Sequence, residues 1–304
     1  MSKICGWIKH AANPVLGGFL GTCFDVSVLK QNGIYRMYFS WRPKKSVALT
    51  ESRDGINWSE PVIVLEPRET PERWEDDVNR PAVIFRGGKY QMWYTGQDIP
   101  GAPNGKSRLF MAESSDGVTW ERVGSKPVLS AEEEWEKAAV MSPHVLWDDA
   151  QKIYKLWYSA GEQYEPNAIG YAESSDGVHW VKHPSNPIFC ANPGNLWEAH
   201  KVAGVQVIRK DGQYIMFYIG YRDEHFAQIG LARSADGITG WQRNPDNPII
   251  FPEPGKWDGE ACYKPYAIFE DGKWMLWYNG RTGHAEQIGL AVHDGEKFIG
   301  DTHG

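Results

Sequence analysis

Five times along the chain an apolar stretch ends in an aromatic pair, and a second apolar stretch follows it into an Asp-Gly turn. The pairs are Tyr38-Phe39, Trp93-Tyr94, Trp157-Tyr158, Phe217-Tyr218 and Trp277-Tyr278. The turns are Asp54-Gly55, Asp116-Gly117, Asp176-Gly177, Asp236-Gly237 and Asp294-Gly295, so successive Asp positions lie 62, 60, 60 and 58 residues apart. A repeat of that length filled only with strand and turn signals belongs to radially stacked sheets, because one four-stranded sheet cannot bury both of its faces alone. Five such units predict an all-β fold, a five-bladed β-propeller. The last repeat stops after Phe298 without a fourth strand, and the segment Trp7 to Leu16 carries the pattern of Trp180 to Phe189. The N-terminal strand is therefore expected to join the last blade and leave no open seam.

With 304 residues and no Pro/Gly/Ser linker, a single domain spanning 1–304 is expected. Most of the 15 Trp and 14 Tyr belong to the repeat and are read as packing between blades. Trp41 and Tyr164 lie outside it and are open to a binding role. A net charge of -7 without a basic stripe argues against nucleic acid and a membrane surface as partners. The start of the chain lacks a long apolar h-region and no run approaches a membrane span, so a cytoplasmic protein is expected. Cys5, Cys23, Cys190 and Cys262 show no CxxC spacing and are read as reduced, packed thiols. No metal site and no cofactor are expected; the central channel leaves room for a structural cation.

Topology sorts the carboxylates. The Asp-Gly acids and the hairpin acids Asp148, Asp149, Asp211 and Asp271 fall on one face of the disc, where Asp builds turns and Gly takes the left-handed position. On the other face four of the five inner strands are approached through Trp followed by an acid, at Glu75, Glu136, Glu198 and Asp258. An acid present in four blades is first a repeat element, expected to cap backbone amides. Three residues after that Trp the repeat breaks into Asp77, Ala138, His200 and Glu260, and blade one carries Asp25 inside an apolar strand start. A buried charge there is costly unless paired or used. Asp25, Asp77 and Glu260 are thus expected to converge on the channel mouth. Carboxylates so placed suit glycosidic bond cleavage, in which one acid protonates the leaving oxygen and another activates water or attacks the anomeric carbon. Cations on the same face, Arg42, Arg80, His144, His200, Lys201, Arg222, Lys264 and Arg281, join Trp41 and Asn79 as candidate substrate ligands.

The repeat, its count and the blade-one Asp resemble the five-bladed propeller glycosidases, the superfamily of glycoside hydrolase families 43, 62, 32, 117 and 130. Within family 43 the resemblance implies Asp25 as general base and Glu198, at the start of blade four, as general acid. The family's blade-three Asp before Pro is Ser142 here, which leaves its role to Asp77 or Glu260. Family 130 includes phosphorylases, in which phosphate replaces water, and Asp77 with Arg80-Pro81 loosely matches its Asp, Arg and Pro motif. The reading is an exo-acting glycoside hydrolase that removes a terminal sugar, a furanoside among the candidates, from a small oligosaccharide. The rivals are a family 130-like phosphorylase and a noncatalytic sugar-binding propeller.

Overall fold

Each repeat folds into an antiparallel sheet whose second strand carries the aromatic pair and whose third strand runs into the Asp-Gly turn. The computed structural model describes residues 6–98, 106–162 and 165–298; Cys5 and Tyr164 lie outside them. By its contacts the chain divides into residues 25–190 and residues 1–24 with 191–304, and the two units are taken in turn.

The first unit holds three blades. Blade one is Cys23–Gln31, Ile34–Trp41, Ser46–Ser52 and Val62–Leu65. Blade two is Asp77–Arg86, Lys89–Gln97, Ser107–Ser114 and Glu121–Arg122. Blade three is Ala139–Asp148, Ile153–Glu162, Glu165–Ser174 and Val181–Lys182, with Phe189–Cys190 also pairing to its third strand. The second unit holds blade four, Lys201–Lys210, Gln213–Tyr221, Ala227–Ser234 and Gln242–Arg243. Blade five is Ala261–Glu270, Lys273–Thr282 and Ala285–Asp294, and its fourth strand is Trp7–Lys9. Trp7 pairs with His293, Ile8 with Val292 and Lys9 with Ala291. The expected five blades and N-terminal fourth strand are both present. The match between the two Trp-to-Pro segments also has a physical basis. Asn13 trades hydrogen bonds with the backbone of Leu290 at 2.8 and 2.9 Å, as Asn186 does with Tyr171 and Asn247 with Leu231, so the side chain completes a ladder that the following proline cannot.

The turns are built as their sequence requires. In Ser52-Arg53-Asp54-Gly55, Ser52 Oγ accepts the Gly55 N–H at 2.9 Å and Asp54 Oδ1 accepts the N–H groups of Ile56 and Asn57 at 2.9 and 2.8 Å. Gly55 sits at φ 74°, where a side chain is disfavoured. The same bonds recur at Asp116, whose carboxyl is held down to about 2 by the N–H groups of Thr119 and Val118. These turns also join blades. Tyr38 OH of blade one donates to Gly117 O of blade two at 2.9 Å, and Trp93 Nε1 of blade two donates to Gly177 O of blade three at 2.8 Å. Between blades four and five the equivalent aromatic is Phe217, which cannot donate. There the joint is apolar: Phe217 meets Trp7 and Phe298 edge-on at 6.1 and 6.0 Å, and Trp7 stacks on Phe298 at 5.9 Å.

Candidate active site

The acid that follows each approach Trp does one job in all four blades. Glu75 accepts from Tyr94 OH at 2.7 Å and pairs with Arg122 at 2.7 Å; Glu136 accepts from Tyr158 OH at 2.8 Å and pairs with Lys182 at 2.7 Å. Glu198 accepts from Tyr218 OH at 2.9 Å and pairs with Arg243 at 2.6 Å, while Asp258 accepts from Tyr278 OH at 2.9 Å and pairs with Lys9 at 2.6 Å. Each carboxylate is buried between a second-strand Tyr and a fourth-strand cation of its own blade. Backbone capping, the role expected for these acids, is seen only at Glu136, which accepts the N–H groups of Glu132 and Glu133. The shared role is an ion-paired clamp from the approach to the first strand across to the fourth. The phenols respond to it: burial first, then the neighbouring carboxylate, pushes Tyr158 far above the ordinary tyrosine range.

The broken position is placed differently from its sequence reading. Asp77 pairs across the sheet with Gln97, and its counterparts are Ala139 opposite Gly161, Lys201 opposite Tyr221 and Ala261 opposite Arg281. Blade two is one residue shorter between its Trp and the strand, so Asp77 aligns with Lys201, not with His200 or Glu260. Asp77 is 3% exposed, whereas Glu260 is exposed in the loop and accepts the Gly283 N–H at 3.0 Å.

Three residues further on, every inner strand turns left-handed. Asp25 (φ 53°), Arg80 (54°), Ser142 (51°), Gly204 (43°) and Lys264 (48°) occupy this position, and the pairing of blades two to five slips around it. For residues with a Cβ this conformation costs about 1 to 2 kcal/mol, and such strain concentrates at functional sites. In blades one, two, three and five its benefit is to swing a side chain out of the sheet's alternation; blade four has Gly204 there.

In the first unit this brings Asp25, Asp77, Asn79 and Arg80 together. Arg80 Nε lies 3.0 Å from Asp25 Oδ2. Its NH1 donates to Asn79 Oδ1 at 2.6 Å and to Gln97 Oε1 at 3.3 Å, and its backbone N–H to Ser40 Oγ at 2.7 Å. Asn79 Nδ2 donates to Asp77 Oδ1 at 2.8 Å and to Gln97 Oε1 at 2.7 Å, and Gln97 Nε2 donates to Ser107 Oγ at 2.9 Å. Among the described residues no protein group engages Asp77 Oδ2. Two carboxylates thus sit in one hydrogen-bonded cluster in different settings, Asp25 ion-paired and Asp77 with one oxygen unengaged. Gln97, Ser107 and Ser40 were not legible as site residues; polar side chains inside otherwise apolar strands are the signal that marks them.

The other candidates are placed separately. Trp41 is half-buried and Arg42 exposed where blade one's second strand meets a short 3-10 turn; His144 is buried, its ring 6.3 Å from Trp157. In the second unit Lys201 is buried with Nζ 4.5 Å from the Tyr221 ring centroid, and His200 is exposed. Lys264 is buried, its stem passing over Gly204, where an added Cβ would stand 3.2 Å from Lys264 Cδ and 2.5 Å from Ile219 Cδ1. Arg222 is exposed, pairs with Asp223 at 2.9 Å and covers the Phe226 ring at 3.9 Å; Arg281 NH2 donates to His225 O. Among the described residues no cluster of three or more His, Cys, Asp or Glu has the arrangement of a metal site. Cys23 is pushed up to about 12 by burial, then by the charge of Glu286, and is no nucleophile.

The chain matches the family described as "Glycosyl hydrolases family 43" over residues 11–294. It is 26% identical over 275 residues to an uncharacterized protein of Mycobacterium tuberculosis (strain CDC 1551 / Oshkosh), covering 86% of this chain and 89% of that one. A 1,2-beta-oligomannan phosphorylase of Thermoanaerobacter sp. (strain X514) is 27% identical over 238 residues, 76% of this chain and 74% of the relative. A solved structure from the GH130 family of mannoside phosphorylases, described as containing glycoside hydrolases that target beta-1,2 mannosidic linkages in Candida mannan, superposes with a TM-score of 0.76. It is 17% identical, and the superposition covers 96% of this chain and 94% of the other, a likeness of fold.

Proposed function

Because the chain belongs to glycosyl hydrolase family 43, we propose that it is an exo-acting glycoside hydrolase in which Asp25 is the base and Asp77 the acid. The substrate is the terminal sugar of a small oligosaccharide, with furanosides among the candidates. The observation that carries the reading is the unequal setting of the two carboxylates, since acid and base roles are assigned by surroundings that differ. Arg80 Nε anchors Asp25 Oδ2 at 3.0 Å and fixes the orientation of the carboxylate assigned as base. Asn79 occupies Asp77 Oδ1, so a proton on that carboxyl sits on Oδ2, the oxygen left to meet a departing glycosidic oxygen. Glu198, the acid implied by the family resemblance, is assigned a structural role because three other blades repeat its surroundings. The two carboxylates move the protons themselves, so the reaction calls for no cofactor.

Phosphorolysis is the second reading, favoured by the phosphorylase relative. Against it stands Arg80, the guanidinium at the site, whose Nε is engaged by Asp25 and whose NH1 is engaged by Asn79 and Gln97. The experiment is sugar release from a panel of oligosaccharides with and without inorganic phosphate. Free sugar formed at the same rate in both is expected. Sugar 1-phosphate formed only with phosphate overturns the hydrolase, and tight binding of the sugars without turnover overturns the enzyme.

A further inference from the structure

The geometry points to Asn79 as a positioning residue that holds both carboxylates through one chain of hydrogen bonds, an inference resting on the acid and base roles proposed above. The chain runs from Asp25 Oδ2 to Arg80 Nε at 3.0 Å, from Arg80 NH1 to Asn79 Oδ1 at 2.6 Å, and from Asn79 Nδ2 to Asp77 Oδ1 at 2.8 Å. An amide is the side chain that can make both middle links, because it offers a donor and an acceptor on one rigid plane. Its orientation is fixed by its neighbours. Turned over, the amide would set its oxygen against Asp77 Oδ1 and Gln97 Oε1 and its NH2 against a guanidinium that can only donate. Gln97 is oriented in turn by Ser107, 2.9 Å away, so the order passes from Ser107 through Gln97 to Asn79. Asn79, Gln97 and Ser107 are all buried, which keeps water from substituting for any link. Asn79 thereby decides which Asp77 oxygen carries the proton and braces the arginine that anchors Asp25.

Asn79→Leu keeps the volume and removes both links. On an oligosaccharide whose leaving group needs protonation, kcat is expected to fall about 10- to 100-fold, the scale of misplacing a catalytic group, with KM changed less than about threefold. On an activated aryl glycoside, which needs little proton donation, the loss is expected to be about tenfold smaller. Ser107→Ala, a milder change behind the site, serves if Asn79→Leu does not fold, and is expected to show a several-fold loss with the same dependence on leaving group. A raised KM with unchanged kcat, or an equal loss on both substrates, overturns the inference. Asp77→Asn is measured alongside. If Asp77→Asn turns over normally, the acid assignment falls and the inference with it; if it is inactive while both positioning variants are normal, only the inference falls.

Discussion

Glu198 separates two accounts of this fold, because the family resemblance makes it the general acid and the blade repeat makes it a structural clamp. Replacing it with Gln keeps the shape and removes the charge. The carboxylate is fully buried, accepts from Asn195 Nδ2 at 2.7 Å and Tyr218 OH at 2.9 Å, and is ion-paired with Arg243 Nε at 2.6 Å. Breaking one partner of a buried ion pair costs about 3 to 5 kcal/mol; the partly exposed Arg243 and the acceptor oxygen that Gln retains reduce this to about 2 to 4 kcal/mol. For a chain of this length each kcal/mol lowers Tm by about 2 °C, so a fall of about 4 to 8 °C is expected by calorimetry. Turnover at 25 °C by the folded variant should stay within about threefold of wild type, since a group that does not protonate the leaving oxygen forgoes the roughly 100- to 10,000-fold effect of one that does. Glu136→Gln, made as a control in another blade, should match it in both respects. A Glu198→Gln protein that melts within about 1 °C of wild type and loses a hundredfold or more in kcat would refute the clamp and restore the family's acid.

Asp25→Asn and Asp77→Asn should each cost about 100- to 10,000-fold in kcat on the natural substrate. The Asp77 variant alone should recover most of its loss on an activated aryl glycoside, and steady-state kinetics on both substrates checks this. Deleting residues 1 to 16 strips the buried Trp7 from blade five, worth about 3 to 5 kcal/mol, and leaves Asp258 buried without Lys9, so an insoluble or unfolded product is expected; a soluble truncation with the wild-type Tm would contradict the closure. The Glu136 carboxyl should also be visible in acid. Burial alone would raise it, but Lys182, the N–H groups of Glu132 and Glu133 and the Tyr158 hydroxyl outweigh burial and hold it below its ordinary 4.5. Its stabilisation is therefore present above that value and lost as pH falls through the lowered one. The Tm gap between wild type and Glu136→Gln should shrink over that acid range; a gap independent of pH would contradict the assignment.

Blade count and closure were legible because each rests on local patterns repeated along the chain. The clamp was half legible. Its acids stood out, but their cations needed the fold, although Trp120-Glu121-Arg122, Trp180-Val181-Lys182, Trp241-Gln242-Arg243 and Trp7-Ile8-Lys9 repeat a Trp-x-cation signal in the same four blades. Blade one has Trp58-Ser59-Glu60 there and no Trp-acid pair before its inner strand, so both halves are missing together. Asp77 was found by counting from Trp74, yet the count assigned it the wrong counterparts, because strand register and not sequence distance sets which residues share a level. The left-handed position escaped notice since its sign is a backbone angle; the proline after Arg80, Ser142 and Lys264 was its only trace. Asn79 was read as a substrate ligand, and its links to two acids depend on a hairpin partner, Gln97, that no local pattern supplies.

The apolar joint of Phe217, Phe298 and Trp7 also bears on how the protein is made. Trp7–Lys9 pairs with Ala285–Asp294, a strand about 280 residues further along the chain. At about 5 to 20 residues per second the N-terminal strand waits roughly 15 to 60 seconds for its partner. Through that interval Trp7 is an unshielded indole on a nascent chain, a handle for chaperones and a hazard at high expression. When the partner arrives, a greasy contact without directional demands can capture the strand from many approach angles, whereas a Trp-to-carbonyl bond of the kind at Trp93 would require the geometry to be right at first encounter. With Phe217 in place of a donor, this joint asks only for apolar contact when the N-terminal strand docks on blade five.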